Sequence, residues 1–131
     1  MPFIKSGAAN AVEPQVQPEG VYDLVVKKAE LYKGKESGKE SIRTIIGIEG
    51  VQNAADFFHY VPLINGSEED EKKVNDKNLM QKRFLDMFNI AYTDEGFELD
   101  DFIGARGRGY LKVEADNNGI DRNSLQVGKK I

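Results

Sequence analysis

Several features that define common classes of protein are missing from this chain of 131 residues. It contains no cysteine, which excludes a disulfide framework and a thiolate zinc site and agrees with a reducing compartment. No apolar run approaches the length of a membrane helix, and the first twenty residues lack the apolar segment of a secretory signal. We therefore expect a soluble, cytoplasmic protein with no membrane partner.

The motifs of nucleotide-dependent and metal-dependent enzymes are also missing. The segment KGKESGKES has Lys33 where a phosphate-binding loop needs its first glycine, and Glu40 where the magnesium-binding Ser or Thr belongs. GARGRG does not have the glycine spacing of a dinucleotide fingerprint. His59 is the only histidine, and Asp100 and Asp101 have no evident catalytic partners. The sequence predicts no catalysis, no cofactor and no bound metal.

The composition fits one small globular domain that carries segregated charge. The chain is 40% hydrophobic and contains seven Phe and five Tyr, enough for a single core. The formal charge of -4 argues mildly against nonspecific adhesion to nucleic acid. However, residues 27 to 43 hold six Lys or Arg against three Glu, whereas residues 94 to 101 hold five carboxylates and no base. One basic face on an acidic protein is therefore compatible with the sequence.

The pattern along the chain predicts a mainly β domain with one helix. Residues 1–19 lack periodicity and are interpreted as a flexible or extended arm, followed by a domain over 20–131. Alternating or β-prone runs predict five strands, GVYDLVVKKAELYKG, SIRTIIGIEG, AADFFHYVPL, GARGRGYLKVE and IDRNSLQV. In the second run, Ile42, Thr44, Ile46 and Ile48 share one face. The order β-β-β-α-β-β is that of a five-stranded OB-fold-like barrel, a fold that commonly binds oligonucleotides.

One amphipathic helix is predicted between the third and fourth strands, over about 76–91. Its apolar positions have helical spacing and comprise Leu79, Met80, Phe84, Leu85, Met87, Phe88 and Ala91. Two starts are compatible with the sequence, because Ser67 with Asp70 resembles a capping box while Asn75 or Asp76 lies closer to the apolar positions. The acidic segment TDEGFELDDFIG that follows is interpreted as a connection with room for one short turn.

The fourth predicted strand alternates cationic or aromatic residues with apolar ones. Arg106, Arg108, Tyr110 and Lys112 fall on one face, while Gly107, Gly109, Leu111 and Val113 fall on the face expected to meet the core. The outward set suits a phosphate backbone with bases to stack, although an ordinary solvated strand face has the same pattern.

The third strand can present its aromatic residues in either of two registers. If Val61 and Leu63 face the core, Phe58 and Tyr60 face outward, and the opposite register exposes Phe57 and His59. Basic residues of the first hairpin and the outward position Arg43 would supply phosphate contacts. The candidate nucleic-acid-binding residues are Lys33, Lys35, Lys39, Arg43, Phe58, Tyr60, Arg106, Arg108, Tyr110 and Lys112.

The segments EGVYDLVVKKAE, GKESGKESIRTIIGIEG, QKRFLDMFNIA, DDFIGARGRGYLKVE and RNSLQV together resemble the phage-encoded small single-stranded DNA-binding family over residues 19 to 128. The resemblance implies an OB-fold that protects single strands during phage replication or recombination in the host cytoplasm, with replication or recombination proteins as partners. Proteins that bind single-stranded DNA often carry an acidic C-terminal tail, and the ending VGKKI departs from that pattern.

The expected function is binding of single-stranded DNA with little sequence preference and without catalysis. The alternative is a non-enzymatic, β-rich phage structural or protein-interaction module that uses the same outward face. The sequence leaves the oligomeric state open, a homo-oligomer included.

Overall fold

The computed structural model describes residues 1–35, 38–64 and 70–128. Its strands are β1 (Gly20–Lys33), β2 (Glu40–Ile48), β3 (Phe57–Pro62), β4 (Tyr92–Thr93), β5 (Gly96–Phe97), β6 (Arg106–Ala115) and β7 (Asp121–Leu125). One α-helix, α1 (Glu71–Met87), lies between β3 and β4, and short 3-10 turns occur at Ala8–Asn10 and Leu99–Phe102.

The five long strands form one strongly curled antiparallel sheet. Their order is β3-β2-β1-β6-β7, and β4 pairs with β5 as a separate small hairpin. The two edge strands, β3 and β7, contact each other across the seam of the curl. This five-stranded half-barrel, with its helix inserted after the third strand, is an OB-like fold and confirms the predicted fold class.

The curl depends on an irregularity in β1. This strand of 14 residues pairs with β6 through Gly20–Val25 and with β2 through Leu24–Lys33. Its register with β2 shifts between Val26 and Lys28, which inserts one extra residue and bends the strand. One strand can therefore serve both halves of the half-barrel.

The interior of the sheet is filled from the predicted alternating positions. Ile42, Thr44 and Ile46 are at most 2% exposed, and Ile48 is also buried, so the predicted inner face of β2 is confirmed. The hydroxyl of Thr44 is the one polar group among them, and it donates a hydrogen bond of 2.7 Å to the carbonyl oxygen of His59. This bond satisfies the hydroxyl inside the core.

The helix begins and ends earlier than the sequence predicted. Asp70 caps it by accepting a hydrogen bond of 2.8 Å from the backbone N–H of Lys73, which satisfies one of the free donors of the first turn. Ser67, the other half of the predicted capping box, lies outside the described residues. The helix ends at Met87 instead of residue 91 because Asn89 adopts a left-handed conformation with φ of 57°.

Only the last turns of α1 join the core. Phe84, Leu85 and Phe88 are buried there, whereas Leu79 and Met80, which belong to the predicted apolar stripe, are 37% and 39% exposed. The aromatic core extends beyond the helix to residues of the acidic segment, since the rings of Phe84, Phe88, Phe97 and Phe102 form a chain of contacts with centroids 4.8–5.6 Å apart. Phe102 is fully buried, although the acidic residues next to it in the sequence predicted only a connecting segment.

The end of the N-terminal arm, predicted as a flexible or extended segment over residues 1–19, is hydrogen-bonded across the seam. The backbone of Gln15 bonds to Asn53 and Ala55, just before β3, at 2.7 and 2.8 Å. The backbone of Gln17 exchanges two hydrogen bonds of 2.9 Å with the side-chain amide of Asn123 on β7, which is 5% exposed. The arm therefore bridges the two edge strands.

Candidate nucleic-acid interface

The outer face of β1, β2 and β3 carries three aromatic rings grouped around one arginine. Antiparallel register places Arg43 opposite Glu30 on β1 and opposite Tyr60 on β3. Phe58 and Tyr60 are 56% and 46% exposed, while Phe57 is buried, so the structure adopts the first of the two registers considered for the third strand. With Tyr32 of β1 they form a set that we call the aromatic cluster: Tyr32, Arg43, Phe58 and Tyr60.

The guanidinium of Arg43 holds this cluster together. Its central carbon lies 4.7 Å from the ring centroid of Tyr32 and 5.8 Å from that of Phe58, both within cation–π range. The rings of Tyr32 and Tyr60 are tilted against each other with centroids 5.6 Å apart. The guanidinium thus fixes the rings from one side and leaves a large part of the Phe58 and Tyr60 surface open to solvent.

Glu30 orients the guanidinium. Its carboxylate accepts from Nε of Arg43 at 2.9 Å and also from Nη2. The hydrogen bond and the positive charge of Arg43 lower the pKa of Glu30, and Glu30 in turn raises the pKa of Arg43. Both groups are exposed to water, so the pair serves mainly to set geometry and adds little to stability.

Tyr32 belongs to the cluster but was not among the residues predicted from the sequence. Strict alternation along β1 assigns Tyr32 to the same face as Leu24 and Val26, which are fully buried. The extra residue between Val26 and Lys28 reverses the parity of everything that follows, so Ala29 turns inward and Tyr32 outward. The lysine pair after Val26, which interrupts the apolar alternation, was the available signal of this bulge.

Lysines lie near the aromatic cluster, at its hairpin end and beside the bulge of β1. Lys33 ends β1 on the parity of Ala29 and opposite Glu40, Lys35 lies in the turn and Lys39 precedes β2, and all three are exposed. Lys28, on the outward parity beyond the bulge, is exposed as well. We call these four residues, Lys28, Lys33, Lys35 and Lys39, the basic fringe. The residues at the tip of the turn, 36 and 37, lie outside the described residues.

The inner face of β6 confirms part of the predicted alternation and explains its glycines. A Cβ atom on Gly107 would lie 2.1 Å from the carbonyl oxygen of Met87, so the end of α1 packs directly on the bare backbone of the strand. Leu111 is fully buried, as predicted. Val113 was expected to face the core but is 39% exposed, because it lies near the free end of the β6–β7 hairpin, beyond the helix.

The outward residues of β6 do not join the aromatic cluster. Arg106 pairs with Glu49 at 3.3 Å, Arg108 approaches Asp23 at 3.8 Å, and the hydroxyl of Tyr110 donates to Glu19. These acidic partners offset the arginine charges. They also lie near the N-terminal half of β1, far from Tyr32, because the nine residue steps from Asp23 to Tyr32 span roughly 30 Å along a strand. Lys112 lies opposite Ser124 of β7.

A cleft of about 390 Å³ separates the exposed side of β3 from the β6–β7 hairpin. Phe58 and Tyr60 form its wall on the β3 side. Its charged lining comprises Asp56, Glu114, Asp116 and Arg122. The pKa of Asp116 is lowered, chiefly by the backbone N–H of Ile120, so this carboxylate stays ionised at neutral pH. Asp56 is paired with Lys27 at 2.9 Å, and the other two carboxylates against one guanidinium still disfavour phosphate in the cleft. The cleft does have aromatic surface for a base.

His59 lies on the opposite face of β3 and is not part of the site. Its ring stacks on Phe84 in the core, with centroids 5.4 Å apart and the planes within 1° of parallel. Burial lowers its pKa to about 4. His59 therefore belongs to the core.

Comparison with known proteins adds no relative to these observations. No family model matches the chain, and no significant match was found among curated proteins. Within the described residues, no helix has both the length and the apolar character needed to cross a bilayer. The resemblance to phage single-stranded DNA-binding proteins therefore stays a prediction.

Proposed function

We propose that this protein binds single-stranded DNA, largely without sequence preference, through the aromatic cluster and the basic fringe. The observation that carries the proposal is the position of Arg43, whose guanidinium lies on the rings of Tyr32 and Phe58 while Phe58 and Tyr60 stay about half exposed. Exposed rings held by a cation on the outside of an OB-like sheet are the surface on which single-stranded nucleic acid stacks.

In this proposal the rings and the lysines have separate roles. Each base that stacks on an exposed ring contributes about 1 to 3 kcal/mol whatever its identity, which gives affinity without sequence readout. Four exposed lysines beside the rings neutralise the phosphates between stacked bases. The charge of -4 then keeps duplex DNA and other surfaces from binding nonspecifically elsewhere on the protein.

The proposed setting follows from the resemblance noted above. We infer that the protein protects single strands during phage replication or recombination in the host cytoplasm and acts without catalysis. The resemblance of the sequence segments supports this setting, and the OB-like fold is compatible with it.

A fluorescence-anisotropy titration with labelled poly-dT tests the function. If the four lysines of the fringe contact phosphates, the logarithm of the association constant falls with the logarithm of the salt concentration at a slope of about -3. We expect measurable binding at about 50 mM salt and a marked loss at about 200 mM. Absence of binding at the lower concentration would refute the proposal and favour the protein-interaction module.

A further inference from the structure

A second recess adjoins the aromatic cluster, between β3 and the first half of α1. This groove has a volume of about 400 Å³ and a mainly apolar lining. Its apolar walls are formed by Tyr32, Tyr60, Pro62 and Met80. Two of these four residues belong to the aromatic cluster, so the groove continues the proposed interface beyond the sheet.

The helix is held beside β3 by polar bonds, which keep the groove open. Gln81 donates to the carbonyl oxygen of Pro62 at 2.8 Å, and Lys77 donates to that of Leu63 at 3.1 Å. These bonds fix the helix to the end of β3 through side chains that reach across, and Met80 remains 39% exposed. A polarizable thioether on the wall of a preformed groove is a suitable contact for an aromatic ring.

The charges of the lining residues favour the groove over the other two surfaces considered as the path of a nucleic-acid strand beyond the aromatic cluster. Among the described residues that line it, Lys39 and Lys77 accompany one carboxylate, that of Glu40. The cleft beside the β6–β7 hairpin has the opposite balance, with three carboxylates to one arginine. The arginines on the outer face of β6 lie opposite the first half of β1, away from the aromatic cluster. A phosphate that leaves the aromatic cluster is therefore best accommodated toward α1.

We propose that the groove is a second nucleotide subsite, in which a base lies between the ring of Tyr60 and the thioether of Met80 and the adjoining phosphate lies near Lys39 and Lys77. This inference rests on the proposed function and adds the direction of the bound DNA, because the single-stranded DNA passes over β3 toward α1. Tyr60 belongs to the aromatic cluster and also lines the groove, so it is the point where the two subsites meet.

The test uses two neighbouring positions of α1 with the same exposure. Leu79 and Met80 are 37% and 39% exposed, but only Met80 lines the groove. The chain contains five tyrosines but no tryptophan, so Met80→Trp and Leu79→Trp each introduce a single tryptophan. Each variant is titrated with oligo-dT of about 12 nucleotides, within the site size of an OB-fold, and anisotropy of a labelled oligonucleotide follows binding independently. A thermal melt verifies that both variants fold.

The expected result is quenching of the Met80→Trp emission in parallel with binding, while the Leu79→Trp emission stays constant. In the same assay Met80→Ala should weaken binding about fivefold, as for a weak base contact, and Leu79→Ala less than about twofold. If the oligonucleotide binds but neither tryptophan responds and Met80→Ala has no effect, the groove proposal is wrong and the aromatic cluster stands. If the parent protein does not bind oligo-dT at all, the proposed function fails and the groove proposal fails with it.

Discussion

His59 gives this fold a pH-dependent stability whose sign and size follow from its burial. Its pKa falls from 6.5 to about 4 in the folded protein. Between these values the unfolded chain binds a proton that the folded chain does not, so the free energy of unfolding decreases as the pH falls from about 6.5 toward 4. At roughly 1.36 kcal/mol per pKa unit, the whole effect is about 3 kcal/mol. About 2 kcal/mol of it is lost between roughly pH 7.5 and pH 5.

Urea denaturation of the parent and of His59→Phe at these two pH values isolates this contribution. Phenylalanine retains a ring against Phe84 but cannot take up a proton. Carboxylates such as Glu30 and Asp116, whose pKa values are also lowered, titrate in both proteins and cancel in the comparison. We expect the parent to lose about 2 kcal/mol more than the variant. Equal losses in the two proteins would refute the assignment of His59 to the core.

Three further predictions concern the strand packing, the charge of the cluster and the arm. Gly107→Ala places a methyl group against the helix backbone and should lower the free energy of unfolding, measured by urea denaturation, by about 1 to 3 kcal/mol. An unchanged free energy of unfolding would show that the helix shifts freely to make room for the methyl group. Glu30→Gln removes a negative charge from the proposed phosphate path while its amide oxygen can still accept from Arg43, so it should tighten poly-dT binding about twofold to fivefold; weaker binding would mean that the Arg43 geometry matters more than charge. Deleting residues 1–14 should leave the melting temperature unchanged. Deleting residues 1–18 should lower it by several degrees, because Asn123 would lose its buried partners at a cost of about 1 to 3 kcal/mol; equal melting temperatures would show that the bridge is dispensable.

The parts of the fold that could be predicted from the sequence are those set by local periodicity. Ile42, Thr44, Ile46 and Ile48 share one face and are buried as predicted. Gly107 and Gly109 face inward because the strand period alone determines their side. The existence of the helix follows from the same kind of pattern, whereas the pattern left the parity of Phe58 and Tyr60 open between two registers.

The features of the fold and the site that could not be predicted depend on contacts between residues that are distant in the sequence. The bulge after Val26 reverses the side on which Tyr32 lies, and the period of the strand does not reveal it. Phe102 is buried because its ring packs against those of Phe84 and Phe97, although its neighbours in sequence are acidic. Arg106 and Arg108 appeared equivalent to Arg43, and only the sheet register shows that Glu49 and Asp23 lie beside them.

Two matched tyrosines provide the most direct measurement of the central claim, that the aromatic cluster binds single strands. Tyr60 in the cluster and Tyr92 on β4 are 46% and 40% exposed, so replacing either with alanine should perturb the fold equally little. We predict that Tyr60→Ala weakens poly-dT binding by about 1 to 3 kcal/mol, or about fivefold to 150-fold, whereas Tyr92→Ala changes it by less than about twofold. Equal affinities for the two variants in the anisotropy titration would contradict the account.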